Sequence, residues 1–215
     1  MAKTILFQGD SITDCGRSRQ DDAMTGTGYA TMVKGALGAK YPGEYCFINK
    51  GVGGSRITDV YTRIKSDIIN LKPDYMSMLI GVNDVWHEID LNMGVSAEKF
   101  ERIYEMLIEE VLEALPDIKI MILEPFVLEG DATAATEEAP DRWEIFRSEV
   151  ELRAIAAKRV AEKYHLSFVP LQKLWDDLCQ KAEPSYWLAD GVHPTAMGHH
   201  VLAKEWMKVF EEWQC

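Results

Sequence analysis

Thr4-Ile5-Leu6-Phe7-Gln8-Gly9-Asp10-Ser11-Ile12-Thr13-Asp14 is the stretch from which the rest of the chain can be read. Thr4–Gln8 is short and almost continuously apolar, which describes a buried strand, and Gly9-Asp10 ends it in a turn. Working outward, the spacing predicts a helix over Gly28–Lys40 and strands at Tyr45–Asn49, Tyr75–Ile80, Ile118–Leu123 and Leu166–Val169. Between and after them lie helical patterns at Ile57–Leu71, Ala97–Leu115, Arg142–Tyr164 and Thr195–Trp213. The last of these carries Val201, Leu202, Trp206, Val209 and Phe210 on one face. Short apolar strands alternating with helices predict a parallel sheet covered on both faces. The expected architecture is α/β, a three-layer α/β/α sandwich with a five-stranded parallel sheet. The 215 residues fit one domain spanning 1–215.

Composition narrows the function classes. A net charge of −12 argues against a nucleic-acid partner, which would need a basic stripe, and against an anionic membrane surface. No segment approaches the length of a bilayer span, and the N-terminus enters a strand with no apolar leader or small-residue cleavage site. The four cysteines, Cys15, Cys46, Cys179 and Cys215, form no CxxC pair or zinc-like spacing. Free thiols and a cytoplasmic location are the expectation. Cys15, four residues after Ser11, is read as a passive thiol.

In an open parallel sheet, sites form outside the carboxyl ends of the strands. Ser11 follows the first strand, Gly53-Gly54 the second and Asn83 the third, so all three should reach one edge. A serine hydroxyl attacks a carbonyl only when a base takes its proton. His193 is the candidate base and Asp190, three residues earlier, its orienting acid. His87, His165, His199 and His200 are read as lacking such a carboxylate at close spacing. Gly54 can expose its backbone N–H, Asn83 can offer its amide, and the Ser11 N–H is a third donor for an oxyanion. Each segment alone also reads as a cap or turn, and only the combination carries the chemistry. A dinucleotide-binding loop is disfavoured because the third glycine of that fingerprint would fall at Arg56. Asp10 and Asp14 flank Ser11 as supports for its turn, with Asp10 also a candidate substrate-binding residue.

These four segments, in this order, resemble the SGNH hydrolase superfamily, also called GDSL esterases, over essentially the whole chain. The resemblance implies a flavodoxin-like fold, Ser11, Asp190 and His193 as catalytic residues, and Ser11, Gly54 and Asn83 as the oxyanion hole. Ile12 stands where the family name has leucine. Residues 9–17 and 186–194 further resemble intracellular carbohydrate acetyl esterases, including acetyl-xylan esterases. That implies a small-molecule or oligosaccharide ester substrate, a short acyl group, a homo-oligomer, and no metal or organic cofactor. Trp86 and Trp187, with Tyr186, are candidates for a sugar-binding surface. Residues 130–140 are expected to form a flexible loop bordering the site, within the stretch 126–140. The alternatives are a short-chain lysophospholipase or thioesterase, a metal-dependent deacetylase or phosphoesterase using Asp10, Asp190, His193 and His199, and a carbohydrate-binding module.

Overall fold

Alternate residues of the central strands face opposite layers, and this separates two apolar cores. Ile5 and Phe7 pack into one, Leu6 into the other. The computed structural model describes residues 2–214. In chain order its elements are β1 (Lys3–Gly9), α1 (Ser11–Asp14), α2 (Tyr29–Lys40), β2 (Tyr45–Asn49), α3 (Ile57–Thr62) and α4 (Ile64–Asp67). A 3-10 turn at Ile69–Leu71 leads to β3 (Tyr75–Leu79), α5 (Val82–Leu91), α6 (Ala97–Ala114) and β4 (Lys119–Leu123). The chain closes with α7 (Arg142–Lys163), β5 (Ser167–Val169), α8 (Gln172–Leu178), α9 (Pro184–Trp187) and α10 (Ala196–Glu212).

The strands form a wholly parallel sheet in the order β2-β1-β3-β4-β5. One layer rests on Tyr29, Val33 and Leu37 of α2, Trp175 of α8, and Trp206 and Phe210 of α10. The other rests on Ile57 and Val60 of α3, Phe100, Tyr104 and Leu107 of α6, and Val160 of α7. This is the three-layer α/β/α arrangement expected from the alternation of elements. Beneath β1, the Phe7 ring meets Tyr29 edge-on at 5.8 Å and Trp206 at 5.6 Å, while Trp206 stacks on Phe210. Truncating fully buried Trp206 to alanine should cost about 3–5 kcal/mol.

Chain order reverses direction between β1 and β3, so a crevice opens beyond their carboxyl ends. Ser11 and Asn83 follow those two strands, and Gly54 follows β2 on the far side of β1. The topology therefore brings all three to one edge.

The structure departs from the sequence expectation in several places: α5, α8 and α9 are helices that the apolar spacing did not predict, and two predicted segments are built differently. The helix expected over Ile57–Leu71 is broken into α3, α4 and the 3-10 turn. The Arg63 amide bonds the Val60 carbonyl three residues back, and Ile57, Thr58, Val60, Thr62 and Ile64 are β-branched and weak helix formers. Residues 130–140 are also anchored at their start. Thr133 is fully buried and its hydroxyl donates to the Leu128 carbonyl at 2.7 Å. The Ala132 and Leu128 amides donate to the carbonyls of Asp190 and Gly191.

Candidate active site

The turn after β1 is built by Asp10. Its Oδ1 accepts the Ile12 amide at 3.0 Å, capping the single helical turn that Ser11 opens. Its Oδ2 is buried with no partner, and burial pushes the carboxyl up to about 7. Asp10 thus supports the turn from below and does not line the cleft above it.

Across the sheet edge, His193 Nε2 lies 2.8 Å from Ser11 Oγ, and His193 Nδ1 lies 2.7 Å from Asp190 Oδ2. The other Asp190 oxygen accepts the amides of Val192 and His193 at 2.9 and 2.8 Å. The carboxylate is therefore locked in its own turn before it meets the imidazole. Burial alone would raise the Asp190 pKa, but hydrogen bonds from the His193 ring and amide and the Val192 amide outweigh it and bring it to about 2. The same Asp190 hydrogen bond raises the His193 pKa against the opposing effect of burial. With Nδ1 donating to Asp190, Nε2 of the neutral ring is the acceptor facing the Ser11 hydroxyl. Gly191 makes the turn possible. It has φ +95°, and a Cβ there would fall 2.5 Å from the Leu128 carbonyl oxygen.

Gly54 sits at φ +76° in the loop after β2, a conformation that disfavours a side chain. Its neighbour Gly53 donates its amide to Asp14 Oδ2 at 3.0 Å. Asn83 lies in the first turn of α5, and its Nδ2 donates to the Ser55 carbonyl at 3.2 Å, leaving the second N–H for the cleft. Asp84 points away. Both its oxygens accept the Ile57 amide, and burial drives its carboxyl pKa well above the ordinary value. Asn83 and Asp84 thus divide the work: one faces the crevice, the other ties α3 to α5.

Ser11, Gly54, Asn83 and His193 line a cleft of about 380 Å³ whose remaining wall is Trp86, His87, Asp90 and Leu91 of α5. The Trp86 ring lies 6.0 Å from that of His193, and its indole N–H donates to Asp90 at 2.7 Å. Trp187 is elsewhere. Its indole donates to the Leu178 carbonyl, its own carbonyl accepts the Thr195 amide, and neither it nor Tyr186 lines the cleft.

A GDSL-like lipase/acylhydrolase family model matches residues 7–201. The chain belongs to that family. As a GDSL-type enzyme it is a carboxylic-ester hydrolase. It is 34% identical to the acetylxylan esterase of Geobacillus stearothermophilus over 211 residues, 95% of this chain and 92% of the relative. The solved structure of Axe2, an acetylxylan esterase from the same organism, superposes with a TM-score of 0.83 at 32% identity, covering 96% of this chain and 93% of the other. A Parabacteroides merdae ATCC 43184 protein classed as GDSL-like lipase superposes with a TM-score of 0.87 at 32% identity, covering 97% and 96%.

Three residues of the cleft in this GDSL hydrolase, His87, Asp90 and Leu91, are not among the site residues expected from sequence. On sequence His87 is read as lacking an orienting carboxylate, yet Asp90 follows it by three residues, and the two interact electrostatically. Val82, Val85, Trp86 and Ile89 repeat at helical spacing and would have revealed α5.

Proposed function

We propose that the chain is a serine esterase that removes short acyl groups, acetyl foremost, from carbohydrate esters. The carrying observation is the chain of short hydrogen bonds from Ser11 Oγ through His193 to Asp190. Ser11 Oγ attacks the ester carbonyl carbon while its proton passes to His193 Nε2. The N–H groups of Ser11, Gly54 and Asn83 receive the oxyanion, each such donor contributing ~3–4 kcal/mol to the barrier. Collapse expels the alcohol, which takes the proton from His193. A water molecule, deprotonated by the same imidazole, then cleaves the acyl-serine and releases the acid.

The setting of His199 supports this reading over a metal-dependent route. His199, the fourth ligand such a route would use, is buried and turned inward. Its Nδ1 accepts the Tyr29 amide at 3.1 Å, so the neutral ring carries its proton on Nε2, 3.4 Å from Cys15 Sγ. That tautomer gives Cys15 a donor and not a base. No helix among the described residues is long and apolar enough to cross a membrane.

The carbohydrate assignment draws on the similarity to acetylxylan esterase and on Trp86, an aromatic wall with a carboxylate at its edge. Ser11→Ala should abolish turnover of p-nitrophenyl acetate while the circular dichroism spectrum is retained. A fluorophosphonate should label Ser11 in the parent protein and nothing in the variant. Undiminished hydrolysis by Ser11→Ala would remove Ser11 as the nucleophile. Acetylated sugars compared with acyl thioesters and lysophospholipids then test the alcohol class.

A further inference from the structure

α5 presents two rows of side chains to the cleft, because residues four apart stack on one helix face. Trp86 and Asp90 form one row, joined by their own hydrogen bond. His87 and Leu91 form the other, and Leu91 is exposed at its outer end. The rows border different parts of the reaction. Trp86 lies against His193, whereas a Cβ built on Gly54 would stand 3.9 Å from both Cε1 and Nε2 of His87.

A tetrahedral intermediate has four substituents, and this cleft assigns three of them. One is Ser11 Oγ, one is the oxyanion on its donors, and the third is the leaving oxygen, which must face His193 to receive its proton. The acyl substituent takes the remaining corner, away from His193 and toward the His87 row. We infer that α5 divides the cleft lengthwise, with Trp86 and Asp90 receiving the alcohol and His87, with Leu91, closing the acyl end to chains longer than acetyl. This rests on the serine-esterase reading above.

His87 suits that role. Its imidazole makes no hydrogen bond to any described residue, so it is not needed to tie elements together, yet it stands beside one of the oxyanion donors. In the inferred arrangement a longer alkyl chain runs toward the ring, which borders Gly54, and a two-carbon acetyl group has the least need of that space.

The test is the ratio of kcat/KM for p-nitrophenyl hexanoate to that for p-nitrophenyl acetate, measured in the parent protein, His87→Ala and His87→Leu. The parent protein should prefer acetate. Removing the ring in His87→Ala should raise the ratio at least about tenfold, the scale on which pockets discriminate single methylenes. Leucine restores comparable bulk, so His87→Leu should keep the parent ratio within about threefold, well inside that discrimination. An unmoved ratio in His87→Ala, a hexanoate preference in the parent protein, or equal broadening by leucine and alanine would each overturn the inference. Ser11→Ala separates the two levels. Acetate turnover that survives it refutes the serine-esterase reading, whereas turnover that needs Ser11 while the ratio ignores His87 refutes only the acyl wall.

Discussion

The Asp14 carboxylate accepts the Gly53 backbone N–H at 3.0 Å, joining the helical turn that Ser11 opens to the loop that presents Gly54. The same oxygen also meets the Arg19 guanidinium, and Arg19 in turn donates to the Gly51 carbonyl at 3.0 Å. Ser11 and Gly54, the proposed nucleophile and oxyanion donor, are thereby held in register by residues that do not line the cleft.

Asp14 is thus a positioning residue. Asp14→Ala should lower kcat by up to about a hundredfold, the penalty of displacing a reacting group by about 1 Å, with KM changed far less. Asp14→Asn keeps an oxygen that can accept the Gly53 N–H and should recover most of the rate. Steady-state kinetics on p-nitrophenyl acetate decide the matter, and an Asp14→Ala variant as active as its parent would show that Gly54 is held by other means.

The pH profile carries the signature of the His193–Asp190 bond. In the proposed mechanism His193 must be neutral to accept a proton, and its pKa is raised, chiefly by the Asp190 hydrogen bond. Activity should therefore fall on the acid side at a higher pH than the ordinary imidazole value near 6.5 would give. Asp190→Asn should move that limb to lower pH and cut kcat by about 10⁴-fold, as expected when the orienting carboxylate is lost. A limb that stays in place in the variant would assign it to another group.

Burial lowers the His199 pKa to about 4, so the unfolded chain binds a proton there more readily than the folded one. A depressed pKa contributes stability that is complete above about 6.5 and declines as pH falls toward about 4. Asp10, pushed up to about 7 by burial, acts in the opposite sense, so the comparison must be between variants. Between pH 7 and 5 the stability of the parent protein relative to His199→Asn should fall by about 2 kcal/mol in urea unfolding. A pH-independent difference would place the His199 pKa near its ordinary value.

Arg142 bridges the loop after β4 to the cleft wall. Its Nε and Nη2 donate to the Ala132 carbonyl at 3.0 and 2.8 Å, and its Nη1 donates to Asp90 at 2.6 Å. Asp90 is also the acceptor for the Trp86 indole. Arg142→Ala should raise KM for an acetylated sugar about tenfold, matching the ~1.5 kcal/mol of one charge-assisted hydrogen bond. The rate on p-nitrophenyl acetate, which offers no sugar to Trp86, should change much less. Equal effects on both esters would mean that Arg142 supports the whole cleft and not its sugar wall.

Local pattern was enough to determine the layered sheet, because alternation and helical spacing state which face of each element is buried. It was also enough to send Ser11, Gly54 and Asn83 to one edge, since each follows the carboxyl end of a parallel strand. The α5 helix was hidden because Gly81 and Asn83-Asp84 read as a turn, although Val82, Val85, Trp86 and Ile89 carry its period. Tertiary structure alone decided the rest. It brings His193 within 2.8 Å of a serine 182 positions away, sets Trp86 in the cleft and Trp187 outside it, and turns Asn83 toward the crevice while Asp84 faces the core. Those outcomes depend on how whole elements pack against one another, and no window of neighbouring residues contains that information.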